Sequence, residues 1–372
     1  MKLLYDYAIF SMQRMGGVSR VMSEVISRAL AAEDLDAHVW GGLHAHAELR
    51  RIKRRFPKRV HAWSVPQRLA RYRLLAPLNR RIFSGVARRG RPALCHYTFF
   101  ETSALPRETK KIFTVHDLIH ERYGKHYPAN DRQRSLRQKA LAEADAIICV
   151  SDNTRRDLEE FYAVGDIPVI VAYNGNSLAD VTPQPIHRDR PFWLCVGTRG
   201  AWHKNVDVLW QALAKASAIE DHELVHFGGG PLTSSELRRI HELGLTNRVH
   251  QIEGSDTLLA GHYAAAQGLI FPSRYEGFGM PLVEAMSQGC PVIASSALPM
   301  PEIVADAGLF FDPESPEVLS EIMVQLHSDN TLCRSLVERG YKRAQHFSWD
   351  KSCAQVLNLY RQMLQNGIQS RT

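Results

Sequence analysis

Residues 271–295 read FPSRYEGFGMPLVEAMSQGCPVIAS, and a chain holding this stretch has few folds open to it. The apolar run ending at Pro272 reads as a strand, and the chain then passes through Glu276 into Gly277-Phe278-Gly279. Pro281 falls where a helix begins, because its missing N–H costs nothing in a first turn. The helical pattern continues through Glu284 and Met286 to a glycine stop at Gly289, and Val292-Ile293-Ala294 opens the next strand. A strand, glycine loop, helix and strand in this order present free backbone N–H groups and a positive helix end to an anion. Two carboxylates, Glu276 and Glu284, flank that positive end. A site for phosphate alone would exclude them, whereas a ligand carrying both phosphate and a hydroxyl-rich sugar would use them as acceptors. The plainer reading makes Glu276 a turn residue and Glu284 part of a solvated helix face.

At 372 residues the chain exceeds one core and suits two α/β domains. Strand and helix patterns alternate along it, which argues for parallel sheets. Strands are expected at Lys2–Tyr5, His38–Trp40, Ala93–Tyr97, Lys111–Val115, Ala146–Val150 and Pro168–Ala172, with Ser151-Asp152 capping a helix over Thr154–Phe161. A Pro-rich stretch, Val181–Pro191, reads as a linker between domains 1–180 and 181–350. The second domain repeats the scheme, with strands at Phe192–Val196, Glu223–Phe227, Val249–Ile252, Gly268–Phe271, Val292–Ala294 and Leu309–Phe311. Six cysteines stand far apart without a C-x-x-C pair, as buried thiols of a reducing compartment do. The apolar run of MKLLYDYAIF is too short for a signal peptide, and no stretch approaches a membrane span, so a cytoplasmic protein is expected.

Charge is divided unevenly. Residues 1–172 hold 30 Lys and Arg against 18 Asp and Glu, and residues 173–372 hold 16 against 21. Residues 50–91 contain 15 basic side chains and no acidic one, interleaved with Phe56, Trp63, Tyr72 and Phe83. Such a segment repels itself unless it meets an anionic surface. Nucleic acid, an anionic lipid surface and a plain solvated face are the three readings. With the sugar-handling pattern elsewhere in the chain, the membrane surface or a phosphorylated glycolipid is preferred and nucleic acid is not expected. Arg50, Arg51, Arg54, Arg55 and Trp63 are the candidate contacts.

Glu276 and Glu284 stand with seven residues between them. This chain resembles, over nearly its whole length, the retaining glycosyltransferases of the family-4 type, whose signature is Glu-x7-Glu. The resemblance implies a GT-B fold: two Rossmann-like domains facing across a cleft, with the C-terminal helix, residues 351–372, returning to the first after Phe347-Ser348-Trp349. It implies that Glu276 lies beside the donor sugar, that Glu284 binds the nucleotide ribose, and that Gly277, Phe278, Gly279 and Met280 line the donor site. Both glutamates are expected on an exposed edge. Arg199 and Lys204 follow the strand Phe192–Val196 and match the family's cationic pair for the leaving diphosphate, although the intervening GAWH departs from the commoner Arg-Leu versions. Arg grips phosphate oxygens in pairs and Lys adds a compact charge. Two basic residues after a strand are, taken alone, ordinary surface.

Gly16-Gly17 is the corresponding glycine turn of the first domain, which the resemblance brings near phosphate and acceptor, and otherwise a tight turn. His116 ends a strand at the carboxyl edge where open α/β sheets bind ligands, and the resemblance sets it against the donor sugar. Asp34-Leu35-Asp36 lies between a helix and a strand and reads as a turn, so no metal site is expected and no cofactor beyond the nucleotide-sugar co-substrate. In the front-face mechanism debated for the family, the leaving phosphate takes the acceptor proton. GGVSR, HDLIHE and GTRGAWHKN are similar to bacterial surface-polysaccharide mannosyltransferases, which implies GDP-mannose as donor and a lipid-linked or polysaccharide acceptor in O-antigen, capsule or exopolysaccharide synthesis. A nucleotide-sugar epimerase, a phosphorylase and a polyanion-binding protein are the rival readings. An epimerase would act on donor alone, and a phosphorylase would need a pyridoxal-bearing lysine motif, which none of Lys204, Lys215, Lys342 and Lys351 occupies.

Overall fold

In a computed structural model, residues 2–13, 16–66, 68, 72–128 and 130–369 are described. The chain divides into two compact units, residues 1–174 with 349–372, and residues 175–348. The contact boundary therefore falls before the Pro-rich stretch, and residues 175–180 pack with the second unit.

The first unit is built on seven parallel strands: β1 (Leu3–Tyr5), β2 (Ala37–His44), β3 (Val60–Ser64), β4 (Leu94–Tyr97), β5 (Lys110–Val115), β6 (Ala146–Cys149) and β7 (Val169–Val171). Their order is β3-β2-β1-β4-β5-β6-β7. β1 and β4 have no exposed residue, as strands covered by helices on both faces should. Gly17–Ala31 carries an apolar stripe, Val21, Met22, Val25, Ile26, Ala29 and Leu30, all buried. The described residues of the basic segment fall largely in helix Ala47–Arg55, edge strand β3 and helix Tyr72–Gly90. Helix Trp349–Gln369 completes this unit, with Tyr360 buried among Tyr5 and His96; its hydroxyl lies 3.1 Å from the Tyr5 hydroxyl and 2.5 Å from His96 Nδ1. Arg28 and Arg361 tie the same helix through Asp350 and Asp34.

The second unit has six parallel strands: β8 (Phe192–Val196), β9 (Glu223–Phe227), β10 (Val249–Ile252), β11 (Gly268–Phe271), β12 (Val292–Ser295) and β13 (Gly308–Phe311), in the order β10-β9-β8-β11-β12-β13. The order reverses direction between β8 and β11, so the loops leaving these two neighbours diverge and open a crevice at their carboxyl ends. Trp193, Leu209, Trp210, Leu213 and Leu326 belong to one buried cluster that holds the helices to this sheet.

Candidate functional site

The crevice of the second unit is made by two loops that are stitched together. After β8 the chain makes a short 3-10 turn, Trp202–Lys204, and the helix Val206–Lys215 begins at Asn205. After β11 it runs through 272–279 into helix Met280–Ser287. The Arg274 backbone N–H donates to the His203 carbonyl at 2.7 Å. Asn205, buried at φ +53°, donates its amide to Pro272 O at 3.1 Å and Pro313 O at 2.6 Å. Asn is among the few side-chain-bearing residues that take this left-handed conformation readily.

The stitching sets Lys204 Nζ 2.7 Å from Glu276 Oε1, with the two side chains 24% and 14% exposed. One cation and one carboxylate are thus held half-buried where a glycine loop meets a helix start. Gly279 is the N-cap of Met280–Ser287 at φ +99°, and a Cβ there would meet Leu282 Cδ1 at 2.8 Å, so only glycine turns this corner without strain. Phe278 is buried against the Phe347 ring at 5.5 Å, and Gly277 is buried with it, while Met280 is half-buried at the first helical position.

Glu284 departs from expectation. It is buried at 5% exposure, not on an exposed edge, and its Oε2 accepts from the Tyr263 hydroxyl at 3.2 Å. A buried carboxylate held by the Tyr263 hydroxyl is fixed in direction before any ligand arrives. Tyr263, on helix Asp256–Ala265, is fully buried, and burial beside Glu284 pushes its phenol well above the usual range.

Arg199 is also placed differently from the expected pairing with Lys204. Its guanidinium donates to Glu236 at 3.0 Å, Gly228 O at 2.9 Å, Gly230 O at 2.6 Å and Pro231 O at 3.2 Å. These bonds brace Gly228-Gly229-Gly230, three successive glycines at φ between +75° and +82° at the end of β9. A Cβ on Gly229 would lie 2.6 Å from Gly197 O, so the loop packs backbone to backbone with the end of β8. A cavity of about 640 Å³ opens beside Arg199, lined also by Trp202, Asp207, Glu236 and Arg274; Lys204, Glu276 and Glu284 do not line it. In this structure the two cations thus serve different neighbours: Lys204 the carboxylate, Arg199 the glycine loop.

In the first unit His116 follows β5, half-buried, with Nε2 shielded and making no hydrogen bond among the described residues. Burial lowers its pKa to about 4, Asp117 opposing and Arg137 assisting. Asp117 Oδ1 accepts from Ile119 N at 3.2 Å, and Arg137 Nη2 lies 3.9 Å away. Gly16 caps helix Gly17–Ala31, whose first residue is Gly17. Arg50, Arg51, Arg54 and Arg55 are all exposed on helix Ala47–Arg55, held by Leu49 and Ile52 beneath, and Trp63 on β3 is 49% exposed.

Residues 180–343 match the family described as "Glycosyl transferases group 1", and residues 15–179 match "Glycosyltransferase Family 4". The chain belongs to the family-4 type glycosyltransferases. The O-antigen chain mannosyltransferase B of Escherichia coli is 41% identical over 99 residues, 27% of this chain and 26% of that protein. The MMP alpha-(1->4)-mannosyltransferase of Mycolicibacterium hassiacum is 34% identical over 162 residues, 42% of this chain and 39% of that one. The chain thus spans well under half the length of these two relatives. A crystal structure of Anabaena Alr3699/HepE in complex with UDP-glucose superposes with a TM-score of 0.75 at 17% identity, covering 97% of this chain and 100% of that one. That likeness establishes the GT-B type of fold, two Rossmann-like domains.

Outside the expected residues, the site draws on Asn205, Tyr263 and the Gly228–Gly230 loop. Only the triple glycine after a strand leaves a signal in the sequence that could have been read.

Proposed function

We propose that this protein transfers a hexose from a nucleotide-sugar to a glycan or lipid-linked acceptor with retention of anomeric configuration. The Lys204–Glu276 pair, held at the glycine loop that leads into the helix of the buried Glu284, is the observation that carries the reading. A cation beside a carboxylate offers a nucleotide-sugar what each part needs: positive charge for the diphosphate and an acceptor for sugar hydroxyls. As the glycosidic bond breaks, charge grows on the diphosphate, and a fixed Lys204 charge plus the N–H groups of the glycine loop stabilise that state more than the ground state. In a front-face reaction the departing phosphate oxygen takes the acceptor proton, so no separate general base is needed. We further propose that transfer proceeds without metal, the fixed charge of Lys204 serving the leaving diphosphate.

Relatives named as mannosyltransferases support mannose, with GDP-mannose as donor and an O-antigen, capsule or exopolysaccharide chain as product. Among the described residues no helix is long and apolar enough to cross a membrane. The exposed arginines of helix Ala47–Arg55 support peripheral contact with the anionic inner leaflet, where a lipid-linked acceptor would reside. Thermal shift against a panel of nucleotide-sugars tests the reading. Stabilisation by one base and one sugar class assigns the donor; a flat response to every member would refute the proposal.

A further inference from the structure

Charge alone does not account for the outward surface of residues 63–82. Eight large apolar side chains are exposed among the described residues, and four lie here: Trp63 at 49%, Leu74 at 66%, Leu78 at 47% and Ile82 at 39%. Helix Tyr72–Gly90 already has an inner face. Ala76, Asn79, Phe83 and Ala87 are buried, Phe83 meets the Tyr7 ring at 6.1 Å, and Asn79 accepts from Leu43 N at 2.9 Å. Leu74, Leu78 and Ile82 follow one another at four-residue spacing, so they form a second apolar stripe on the side the sheet does not cover.

Trp63 lies on the same side of the sheet. Along β3, Ala62 faces helix Ala47–Arg55, since both it and Leu49 crowd the Cβ position of Gly41. Alternation turns Trp63 the other way, onto Trp40 at 5.2 Å, and Trp40 belongs to the buried cluster that contains Phe83. The exposed charges that this segment itself carries are of one sign, while Arg80 on the helix pairs with the buried Glu101 from outside the segment. Arg81, Arg88 and Arg89 are exposed on the helix, Lys53 Nζ stands 5.6 Å from the Trp63 ring, and residues 50–91 contain no Asp or Glu.

We propose that Leu74, Leu78, Ile82 and Trp63 form an anchor that inserts into the interfacial layer of an anionic bilayer, with the neighbouring arginines on lipid phosphates. Aliphatic side chains at helical spacing, an indole at the rim and a cluster of exposed arginines match the two zones of such a surface. A second copy is disfavoured, because pairing stripe to stripe would oppose two segments that each carry 15 basic side chains and no acidic one of their own. Nucleic acid is disfavoured because leucine and isoleucine have no ring to stack on bases. The inference rests on the membrane contact proposed above and deepens it: besides the charge on Ala47–Arg55, the protein has an apolar hold on the opposite face of the same sheet edge.

Co-sedimentation of the full chain with vesicles of phosphatidylcholine, alone or mixed with phosphatidylglycerol, at low and high salt, tests this. The wild type is expected to bind the mixed vesicles and to keep a salt-resistant fraction, because apolar insertion is not screened. L74S/L78S/I82S should lose that fraction and bind roughly 10- to 100-fold more weakly at low salt. L74M/L78M/I82M, which keeps the stripe apolar, should bind as wild type. The charge reversal R50E/R51E/R54E/R55E should lose the salt-sensitive part and keep the rest. An unchanged thermal midpoint verifies that the serine variant is folded, since all three side chains point outward. The anchor is overturned if the serine variant sediments like wild type at both salts, or if the wild type does not bind vesicles at all. Transfer to a soluble acceptor, run alongside, reports on the enzymatic reading separately: its absence with the vesicle pattern intact would remove that reading and leave the anchor.

Discussion

Lys204 Nζ and Glu276 Oε1 lie 2.7 Å apart, in a crevice where each side chain keeps less than a quarter of its surface in water. The pair means that a diphosphate entering this crevice must compete with Glu276 for Lys204. Neutralising the carboxylate in E276Q is therefore expected to tighten binding of the nucleoside diphosphate while lowering turnover, because the sugar loses its acceptor. Calorimetric titration of the diphosphate and of the nucleoside, which has no phosphate to gain, checks this. Equal or weaker diphosphate binding by E276Q would contradict it.

K204A should slow transfer by about 100- to 1,000-fold, the range found when one fixed donor to a developing charge is removed. The loss should appear mainly in kcat. Activity of the wild type should persist in EDTA; loss in chelator with recovery in magnesium would contradict the metal-free proposal.

Arg199 makes its bonds to Glu236 and to three carbonyls of the glycine loop, so its removal should act through that loop. R199A is expected to destabilise the second unit by roughly 1–3 kcal/mol, since it leaves three part-buried carbonyls and the Glu236 carboxylate without their charged donor. R199K should recover little, a single ammonium being unable to span the fork's partners. Denaturant unfolding of both variants distinguishes this brace from a phosphate ligand, whose loss would spare stability and weaken nucleotide binding alone.

His116, held at about pKa 4 by burial, is neutral throughout physiological pH. Transfer should show no inflection near pH 6.5 from this side chain. Its folded value is below the unfolded one, so the unfolded chain binds more protons between about pH 6.5 and 4, and stability falls as pH is lowered through that window. His44 and His46, also pushed down to about 4 by burial, add to the same slope. Thermal midpoints measured from pH 7 to 4 for the wild type and H116Q check it, the variant having the shallower decline.

Much of the fold was legible because parallel strands announce themselves as short apolar runs. Ser151 caps helix Asp152–Phe161 by accepting from Thr154 N, as its place before the helical pattern led one to expect. The basic segment was not legible as β3 and two helices, since its arginines mask the spacing of Leu49, Ile52, Ala76 and Phe83. In the site, Glu276 and Lys204 could be named but their pairing could not, because 71 residues separate them and the stitching runs through backbone groups. Burial of Glu284 depends on Tyr263, a partner from another helix, and the brace role of Arg199 on carbonyls that no side-chain pattern encodes.

The central claim is that a nucleotide-sugar bound at Lys204, Glu276 and Glu284 gives up its sugar with the anomeric configuration kept. Time-resolved proton NMR of the anomeric signal, with the stabilising donor, a soluble acceptor and EDTA, tests it most directly. The first product signal should have the donor's configuration, and K204A should delay its growth without changing it. A first product of the opposite configuration, or loss of the donor signal with no acceptor present and a new nucleotide-sugar in its place, would contradict it.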